Sequence, residues 1–400
     1  IAGFLSSLEA RNGVCLLSAP FPIPEAGETI NNCQATIFES IAKLKIIVQQ
    51  MHLTLKPILL SDESARGVLI LLEGVIERLS ETQRSFEEAV LKSKKSSENE
   101  RVSWFCLEKR EANFYAAPLN VQFFLKNGLY KKLDSMIMTS ATLKVGNNFE
   151  FFKDRLGLFD DVYNVLDLTI ESPFDYENQV LCHLASEGFW PLEGASLERF
   201  GDFMLNLLKM IPRGCFLLFT SIKDMNNAYD FIAERVRDLG ITPLKQGDKP
   251  PFQIILEFKR QKPAVLFAVD SFWEGVDIQG DALFSLVFLK IPFDVPTEPL
   301  FQSKSYIIEK NGKNPFMQYA LPRAILSLKQ GVGRLLRSES DRGLVFLLDS
   351  RIWSKSYGRK IISSLPGMQI SKGDLSGFLN YSRTYFNLEG GEGAQGETFS

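Results

Sequence analysis

Short apolar runs alternate with helical stretches through the C-terminal two thirds of this 400-residue chain. Each run is bounded by turn residues and has the length of a strand that is buried on both faces of a sheet. Between the second and third runs, residues 225–239 carry apolar side chains at helical spacing. Strands that alternate with helices predict an α/β fold with a parallel sheet. The runs are Ser135–Met138, Cys215–Phe219, Ala264–Val269, Ser285–Leu289 and Leu344–Leu348.

The first third of the chain has a different pattern, because two apolar seams with a period near 3.5 predict a pair of helices. Pro57 lies in the link between the seams, and Ser61 is the expected N-cap of the second helix. Helices joined by so short a link should pack antiparallel. The charged stretch 92–101 is expected to be a solvated loop. The seams consist of Ile37, Ile41, Leu44, Val48, Met51 and Leu55, and of Leu72, Ile76, Leu79, Phe86 and Val90.

Composition excludes several classes of protein. No stretch approaches about 18 consecutive apolar residues, so no membrane-spanning helix is expected. The five cysteines lie far apart and form no CxxC pair, which argues against a metal or cluster site held by this chain alone and favours a reducing, cytoplasmic setting. The net charge of −3 gives no general attraction to nucleic acid, so such a partner would have to be bound by local charge. The glycine-rich end, 389–400, is expected to be disordered.

The segment QGVGRLLRSESDRG at 330–343 carries the strongest chemical signal. Arg334 and Arg337 are three residues apart, which on a helix places both guanidiniums on one face, where they match the oxygens of a phosphate. The alternative is a solvated basic helix, but Gln330 and Gly333 in register make it less attractive. The wider strip 323–360 holds nine basic residues against three acidic ones, which favours a polyanionic partner.

Another segment, VDSFWEGVDIQG at 269–280, follows an apolar run and is expected at the carboxyl end of a strand, where α/β proteins bind ligands. Glu274 and Asp277 could hold a ribose hydroxyl or a metal-bound water. Phe272 and Trp273 could stack on a base, and they could equally be core residues beneath a loop.

Two hydroxyl-rich turns also follow apolar runs. TSATL at 139–143 could relay hydrogen bonds between a nucleotide site and a neighbouring domain, although small-residue turns after strands are common. Thr220 and Ser221 could contact a phosphate backbone. Each signal is weak by itself.

Taken together and in this order, the motifs resemble the later motifs of a superfamily 2 helicase of the DinG/XPD type. The matching segments are SATL at 140–143, SPF at 172–174, LFTS at 218–221, SFWEGVDIQG at 271–280, IPF at 291–293 and QGVGRLLRSESDRG at 330–343. The resemblance implies a RecA-like parallel-sheet motor domain over 146–388, the end of a first RecA-like domain over 117–145 and a mostly helical, arch-like insertion over 1–116.

The resemblance also implies roles for the matching residues. At the nucleotide, the arginines would stabilise the charge that develops on the γ-phosphate. The residues placed there are Gln330, Arg334 and Arg337 as catalytic groups, with Glu274, Asp277 and Gly333 against the cofactor. Coupling of hydrolysis to strand movement would fall to Ser140, Ala141 and Thr142. The path of single-stranded DNA would be lined by Thr220, Ser221, Ser271, Phe272 and Trp273.

Neither a GxxxxGK[ST] P-loop nor a DEAH box occurs in the sequence. The ligands of Mg²⁺, and any cysteines for an iron–sulfur cluster, would therefore lie upstream of this chain. We expect the chain to be the C-terminal part of a monomeric ATP-dependent DNA helicase that moves 5′ to 3′ on single-stranded DNA in repair or replication. By itself it should be inactive as an ATPase.

Two alternatives stay open. One is a non-catalytic nucleic-acid-binding protein derived from a helicase, which the retention of Gln330, Arg334 and Arg337 disfavours, since a protein that never meets ATP has no evident need for them. The other is the ATPase part of a DinG-type protein fused to an exonuclease domain, and the feature that would separate it from a helicase lies before Ile1.

Overall fold

The computed structural model describes residues 14–16, 27–60, 66–87, 101–108, 111–261, 263–269, 272, 282–373 and 375–388. Their contacts divide the chain into two units. The first unit comprises 1–135, 155–157 and 294–318, and the second comprises 136–154, 158–293 and 319–400. These units do not test the domain boundaries after residues 116 and 145, which stay predictions.

The first unit holds a small antiparallel sheet and two long helices. The sheet has the order β1-β2-β3, with the strands β1 (Val14–Leu16), β2 (Arg101–Glu108) and β3 (Glu111–Pro118). Helices α1 (Gly27–Leu60) and α2 (Arg66–Phe86) lie between β1 and β2 in the chain. Val102 and Leu119 are buried beside this hairpin, against Leu300 and Ile307. The apolar seams predicted the two helices, whereas these three strands were not predicted.

The two long helices are antiparallel, as predicted. Nε2 of His52 lies 3.2 Å from Oε1 of Glu73, and Nζ of Lys45 donates to Oε1 of Gln83 at 3.5 Å. A later residue of α1 thus meets an earlier residue of α2, as antiparallel packing requires. The predicted break at Pro57 is wrong, because α1 continues through that proline to Leu60.

The seam between these helices differs from the predicted one on α1. Ile41, Val48 and Leu55 are half-buried as expected, but Leu44 and Met51 are 49% and 48% exposed. Lys45 and His52, the residues next to Leu44 and Met51, face α2 in their place. Ser61 and Val90, and the side chain of Phe86, lie outside the described residues.

The second unit is built on a seven-stranded sheet with the order β10-β4-β9-β8-β5-β7-β6, in which every pairing is parallel. The predicted parallel α/β fold is confirmed. The strands are β4 (Val180–Leu184), β5 (Cys215–Phe219), β6 (Thr242–Lys245), β7 (Ala264–Val269), β8 (Ser285–Phe288), β9 (Gly343–Leu347) and β10 (Gln369–Lys372).

Helices cover this sheet and fill the connections. Among them, α7 (Ile222–Asp238) presents Ala228, Ile232 and Val236 to the core, where each is fully buried. The remaining helices of the described chain are α3 (Gln122–Gly128), α4 (Glu150–Leu156), α5 (Tyr176–Gln179), α6 (Ala195–Met210), α7 (Ile222–Asp238), α8 (Pro251–Arg260), α9 (Pro299–Lys310), α10 (Leu321–Val332), α11 (Arg351–Ser354), α12 (Gly358–Ile362) and α13 (Leu375–Tyr385).

One of the predicted strands does not form. Residues 135–138 have no regular structure, and Ile137 is 94% exposed. An apolar run becomes a strand only when a neighbour satisfies its backbone groups, and no described strand pairs with this segment. The tail 389–400 lies outside the described residues.

The entry to β5 requires a glycine at position 214. The carbonyl oxygen of Gly214 accepts hydrogen bonds from the backbone N–H groups of Phe284 and Ser285, at 2.8 and 3.0 Å. A Cβ added at Gly214 would lie 1.6 Å from the carbonyl oxygen of Ala282. The two strands approach too closely there for any side chain.

We predict that Gly214→Ala lowers the free energy of unfolding by about 3 kcal/mol or more, since backbone on both sides would have to move. Urea unfolding followed by far-UV circular dichroism measures this. Gly367→Ala is the matched control, because nothing lies within 4 Å of its added Cβ. If both substitutions lowered the free energy of unfolding equally, the close approach of the backbone at Gly214 and Ala282 would be contradicted.

Candidate functional site

The arginine-bearing segment begins where α10 ends. The helix stops at Val332, with Gly333 as its C-cap, and Arg334 lies in the turn that follows. The prediction that Arg334 and Arg337 share one helical face is therefore wrong. Both guanidiniums belong to a loop that connects α10 to β9.

The helix ends here because two leucines turn into the core. Leu335 and Leu336 are 3% and 1% exposed. The backbone N–H of Leu335 bonds to the carbonyl of Val332, three residues back rather than four, which tightens the last turn. A Cβ at Gly343 would lie 2.6 Å from Cγ of Leu335, so a glycine is needed where β9 passes this side chain. Burial of the leucines thus takes precedence over helix continuation.

The loop is held by two residues that the sequence analysis did not single out. Oδ2 of Asp341 accepts from the backbone N–H groups of Arg337 and Ser338, at 2.7 and 2.8 Å. Gln179, which is 3% exposed, donates from Nε2 to the carbonyls of Glu339 and Asp341, at 2.8 and 3.0 Å. Gln179 lies at the end of α5, five residues after the SPF motif. That proximity is the one sequence signal that could have found it.

The SATL turn contacts the end of α10. The backbone N–H of Thr142 donates to Oγ of Ser140 at 3.2 Å. Oγ1 of Thr142 in turn accepts from Nε2 of Gln330 at 3.4 Å, across 188 residues of sequence. Nζ of Lys329 donates to the carbonyl of Lys144 at 2.9 Å. Burial, and then the charge of Lys144, lower the pKa of Lys329. The structure therefore brings together two of the segments that the sequence analysis selected.

Thr220 and Ser221 lie elsewhere, at the carboxyl end of β5. Ser221 is the N-cap of α7, and its Oγ accepts from the backbone N–H of Asp224 at 3.0 Å. The loop with Arg334 and Arg337 leads into the amino end of β9. Because β5 and β9 run parallel, the hydroxyl pair and the arginines lie at opposite edges of the sheet.

Only part of the 269–280 segment is described. Phe272 is 6% exposed, which favours the core alternative over base stacking for this ring. The remaining candidates of this segment, Ser271, Trp273, Glu274 and Asp277, lie outside the described residues.

A buried carboxylate joins two strand ends at the carboxyl edge. Asp349, whose side chain is 6% exposed, accepts from the backbone N–H of Ile291 at 2.9 Å and from Arg351 at 2.6 Å. Burial by itself would raise the pKa of Asp349, but the hydrogen bonds from Arg351 and Ile291 and the charge of Arg351 outweigh it, so the pKa is lowered. The guanidinium of Arg351 also lies 5.4 Å from the ring centroid of Phe293. This contact ties the IPF motif to the loop after β9.

Within the described ranges, no group of three or more His, Cys, Asp or Glu side chains could hold a metal ion. No helix in that part of the chain is long and apolar enough to cross a membrane.

The second unit is a parallel-sheet α/β domain, and its sequence places it in the helicase motor class. Residues 204–368 match the family described as the helicase C-terminal domain. A similar solved structure, "XPD_APO", superimposes with a TM-score of 0.50 over 78% of this chain and 63% of that chain, at 15% identity. That likeness concerns the fold alone and agrees with a RecA-like architecture.

The curated relatives are bacterial helicases and an exonuclease. The chain is 32% identical to "3'-5' exonuclease DinG" of Bacillus subtilis over 69% of this chain and 30% of the relative. It is 32% identical to "ATP-dependent DNA helicase YoaA" of Haemophilus influenzae over 74% of this chain and 44% of the relative. It is 33% identical to the YoaA helicase of Escherichia coli, over 66% of this chain and 40% of the relative. The chain thus spans less than half the length of these relatives.

The match over residues 204–368 and the identity to these relatives confirm the predicted resemblance to the DinG/XPD-type superfamily 2 helicases.

The amide of Gln179 provides the first test of the site geometry. We predict that Gln179→Ala lowers the free energy of unfolding by about 1–3 kcal/mol, because its buried amide donates to three carbonyls of the 338–341 loop and Arg342 remains as a donor to only two of them. Chemical unfolding of the purified chain measures it. Gln261→Ala, at an exposed position, should stay within about 0.5 kcal/mol of the unsubstituted chain. Indistinguishable effects would mean that Gln179 does not hold the loop.

The Asp349 carboxylate gives a pH-dependent prediction. At neutral pH, Asp349→Asn should cost about 1.5–3 kcal/mol of unfolding free energy, toward the lower figure because the Arg351 side chain is 39% exposed. Because the pKa of Asp349 is lower in the folded state, its ionised carboxylate stabilises the fold at any pH above the unfolded-state pKa of about 3.9. This stabilisation is lost as the pH falls through the folded-state pKa.

The stability gap between the Asp349→Asn variant and the unsubstituted chain should therefore close in acid. Unfolding curves between neutral pH and about pH 3 measure the gap across that range. Asp202→Asn, at an exposed site, is the control. A gap that widens in acid would contradict the assignment.

Proposed function

We propose that this chain supplies the second motor domain of an ATP-dependent DNA helicase that moves 5′ to 3′ on single-stranded DNA. The observation that carries the proposal is the hydrogen bond between Gln330 and Thr142, because it links the segment that would contact the nucleotide to the SATL turn. The names of the curated relatives support the reaction class. The proposal includes a monomer that acts in the cytoplasm in DNA repair or replication.

The residues of this chain fit one part of an ATP site. Arg334 and Arg337 follow α10 in a loop whose backbone is fixed by Gln179 and Asp341. Their fixed charges suit a polyphosphate. The described residues contain no cluster of metal ligands, and the 400-residue sequence contains no P-loop. Mg²⁺, its ligands and the phosphate-binding lysine would come from outside this sequence, and any iron–sulfur cluster likewise.

ATP, when bound, supplies the phosphoryl group whose transfer to water drives movement. The arginines of this chain would orient the terminal phosphate and stabilise the charge that develops on it, a contribution worth about 10³–10⁵ in rate. Gln330 would transmit the occupancy of the site to Thr142. The backbone of a single strand would contact Thr220 and Ser221 at the other edge of the sheet. Glu274, Asp277, Gly333, Ser271 and Trp273 keep their predicted roles as part of the proposal.

A second candidate is favoured by one observation. The relative from Bacillus subtilis is named as an exonuclease and is 32% identical over 69% of this chain. In such a protein the motor domain would serve a nuclease domain that lies outside this sequence. Measurement of nuclease and unwinding activity in the intact protein separates the two candidates.

Loss of the first arginine provides the test of the proposal. In the intact protein, Arg334→Ala should lower DNA-stimulated ATP hydrolysis by about 10³-fold or more, while binding of single-stranded DNA largely survives. Arg260→Ala, at an exposed site at the end of α8, is the control and should keep both activities.

The 400-residue chain alone should hydrolyse no ATP above background. Robust DNA-stimulated hydrolysis by this chain would overturn the proposed division of labour. A parallel fall of binding and hydrolysis in the Arg334→Ala variant would make Arg334 a DNA contact instead.

A further inference from the structure

Two exposed tryptophans each carry a lysine ammonium over the ring at the carboxyl edge of the sheet. Nζ of Lys290 lies 4.1 Å from the ring centroid of Trp190, and Nζ of Lys372 lies 4.0 Å from that of Trp353. The tryptophans are 55% and 44% exposed. Large aromatic rings usually contribute their area to a core or an interface, so two such rings at one edge require an explanation.

The four residues come from four adjacent strand ends. Lys372 is the last residue of β10 and pairs with Leu184, the last residue of β4. Trp190 and Trp353 each follow the end of their strand, β4 and β9, by six residues, and Lys290 follows β8 by two. These strand ends form a row in the order β10-β4-β9-β8, and each lysine contacts the tryptophan that follows the strand two places away, Lys372 that of β9 and Lys290 that of β4. Four neighbouring strands make this row about 14 Å wide.

The exposure of the rings is a property of their loops rather than of poor packing. On one side of Trp190, the ring centroid of Phe189 lies 5.5 Å from that of Phe203. On the other side, Leu192 is fully buried. Ile352, next to Trp353, is 3% exposed. Trp190 thus lies between two anchored residues and Trp353 beside one, while both indoles are exposed.

Local charge at this edge favours an anionic partner. The carboxylates of the Trp190 loop are each paired, Glu187 with Arg199 at 3.2 Å and Glu193 with Lys223 at 2.7 Å. Asp349 is buried against Arg351. Exposed basic residues follow Trp353 in the chain, namely Lys355, Arg359 and Lys360. The basic strip of the sequence thus continues into this row.

We propose that Trp190, Trp353, Lys290 and Lys372 form a base-stacking site for single-stranded DNA. Each lysine covers one face of its indole, so a base of any identity would stack on the opposite face, and the ammonium would contact a neighbouring phosphate. Bases of a duplex are already stacked on one another, so the site selects unpaired strands. This inference rests on the proposed function, because it assigns the DNA partner of the same domain to particular side chains outside the recognised motifs.

Fluorescence anisotropy of a labelled oligothymidylate, titrated with the 400-residue chain, tests the site. Trp190→Ala and Trp353→Ala should each weaken binding by about 5- to 150-fold. Lys290→Ala and Lys372→Ala should weaken binding and reduce its salt dependence. Trp104→Phe is the control, because Trp104 stacks on Tyr115 in the β2–β3 hairpin and lies outside the proposed site. This substitution should leave the affinity unchanged.

If an alanine variant fails to fold, the intrinsic tryptophan fluorescence of phenylalanine variants provides a second test. The chain has four tryptophans, and stacking on bases should quench those of the row. Trp190→Phe and Trp353→Phe, which retain an aromatic ring, should each remove part of the quenching that the oligonucleotide causes.

The outcomes separate the two proposals. If the chain binds the single strand but folded alanine variants bind as tightly and the phenylalanine variants keep the full quenching, the stacking site is wrong and the proposed function stands. If the unsubstituted chain binds no single strand, or prefers duplex, the proposed DNA function fails and the site with it.

Discussion

Burial of a parallel sheet on both faces is the constraint on which the second unit depends. Strands β4, β5, β8 and β9 are buried along their whole length, and their backbone groups are satisfied by one another. Polar side chains are therefore rare within these strands, where His183 and Ser285 are buried exceptions, and most polar chemistry lies in the loops at the two edges of the sheet. The residues discussed above follow this rule, since Thr220, Trp190 and Asp349 follow strand ends and Arg334 and Arg337 precede a strand start.

The same constraint explains which strands could be predicted. β5, β7, β8 and β9 are continuous apolar runs, which is the pattern of a buried strand. β4 contains His183, β6 contains Pro243, and β10 alternates half-buried with exposed residues, so none of the three reads as such a run. The run at 135–138 has the right composition, yet composition cannot provide the neighbouring strand that it needs.

The candidate site could be predicted as a set of segments and not as a geometry. The motifs located the SATL turn, the end of β5 and the arginine loop, because each lies at a change between apolar and polar sequence. The helical face predicted for Arg334 and Arg337 was wrong because burial of Leu335 and Leu336 ends α10 first. Gln179 acts on a loop about 160 residues away, and contacts over such separations leave no local pattern.

Separation of the two edges has an evolutionary consequence. A five-residue strand, about 16 Å long, separates the edge with the hydroxyl pair from the edge with the arginine loop. Loops at the carboxyl edge can lengthen or exchange residues without disturbing the loop that Gln179 and Asp341 fix at the amino edge. Relatives built on this sheet are thus free to vary one edge of the sheet while the opposite edge keeps its conformation.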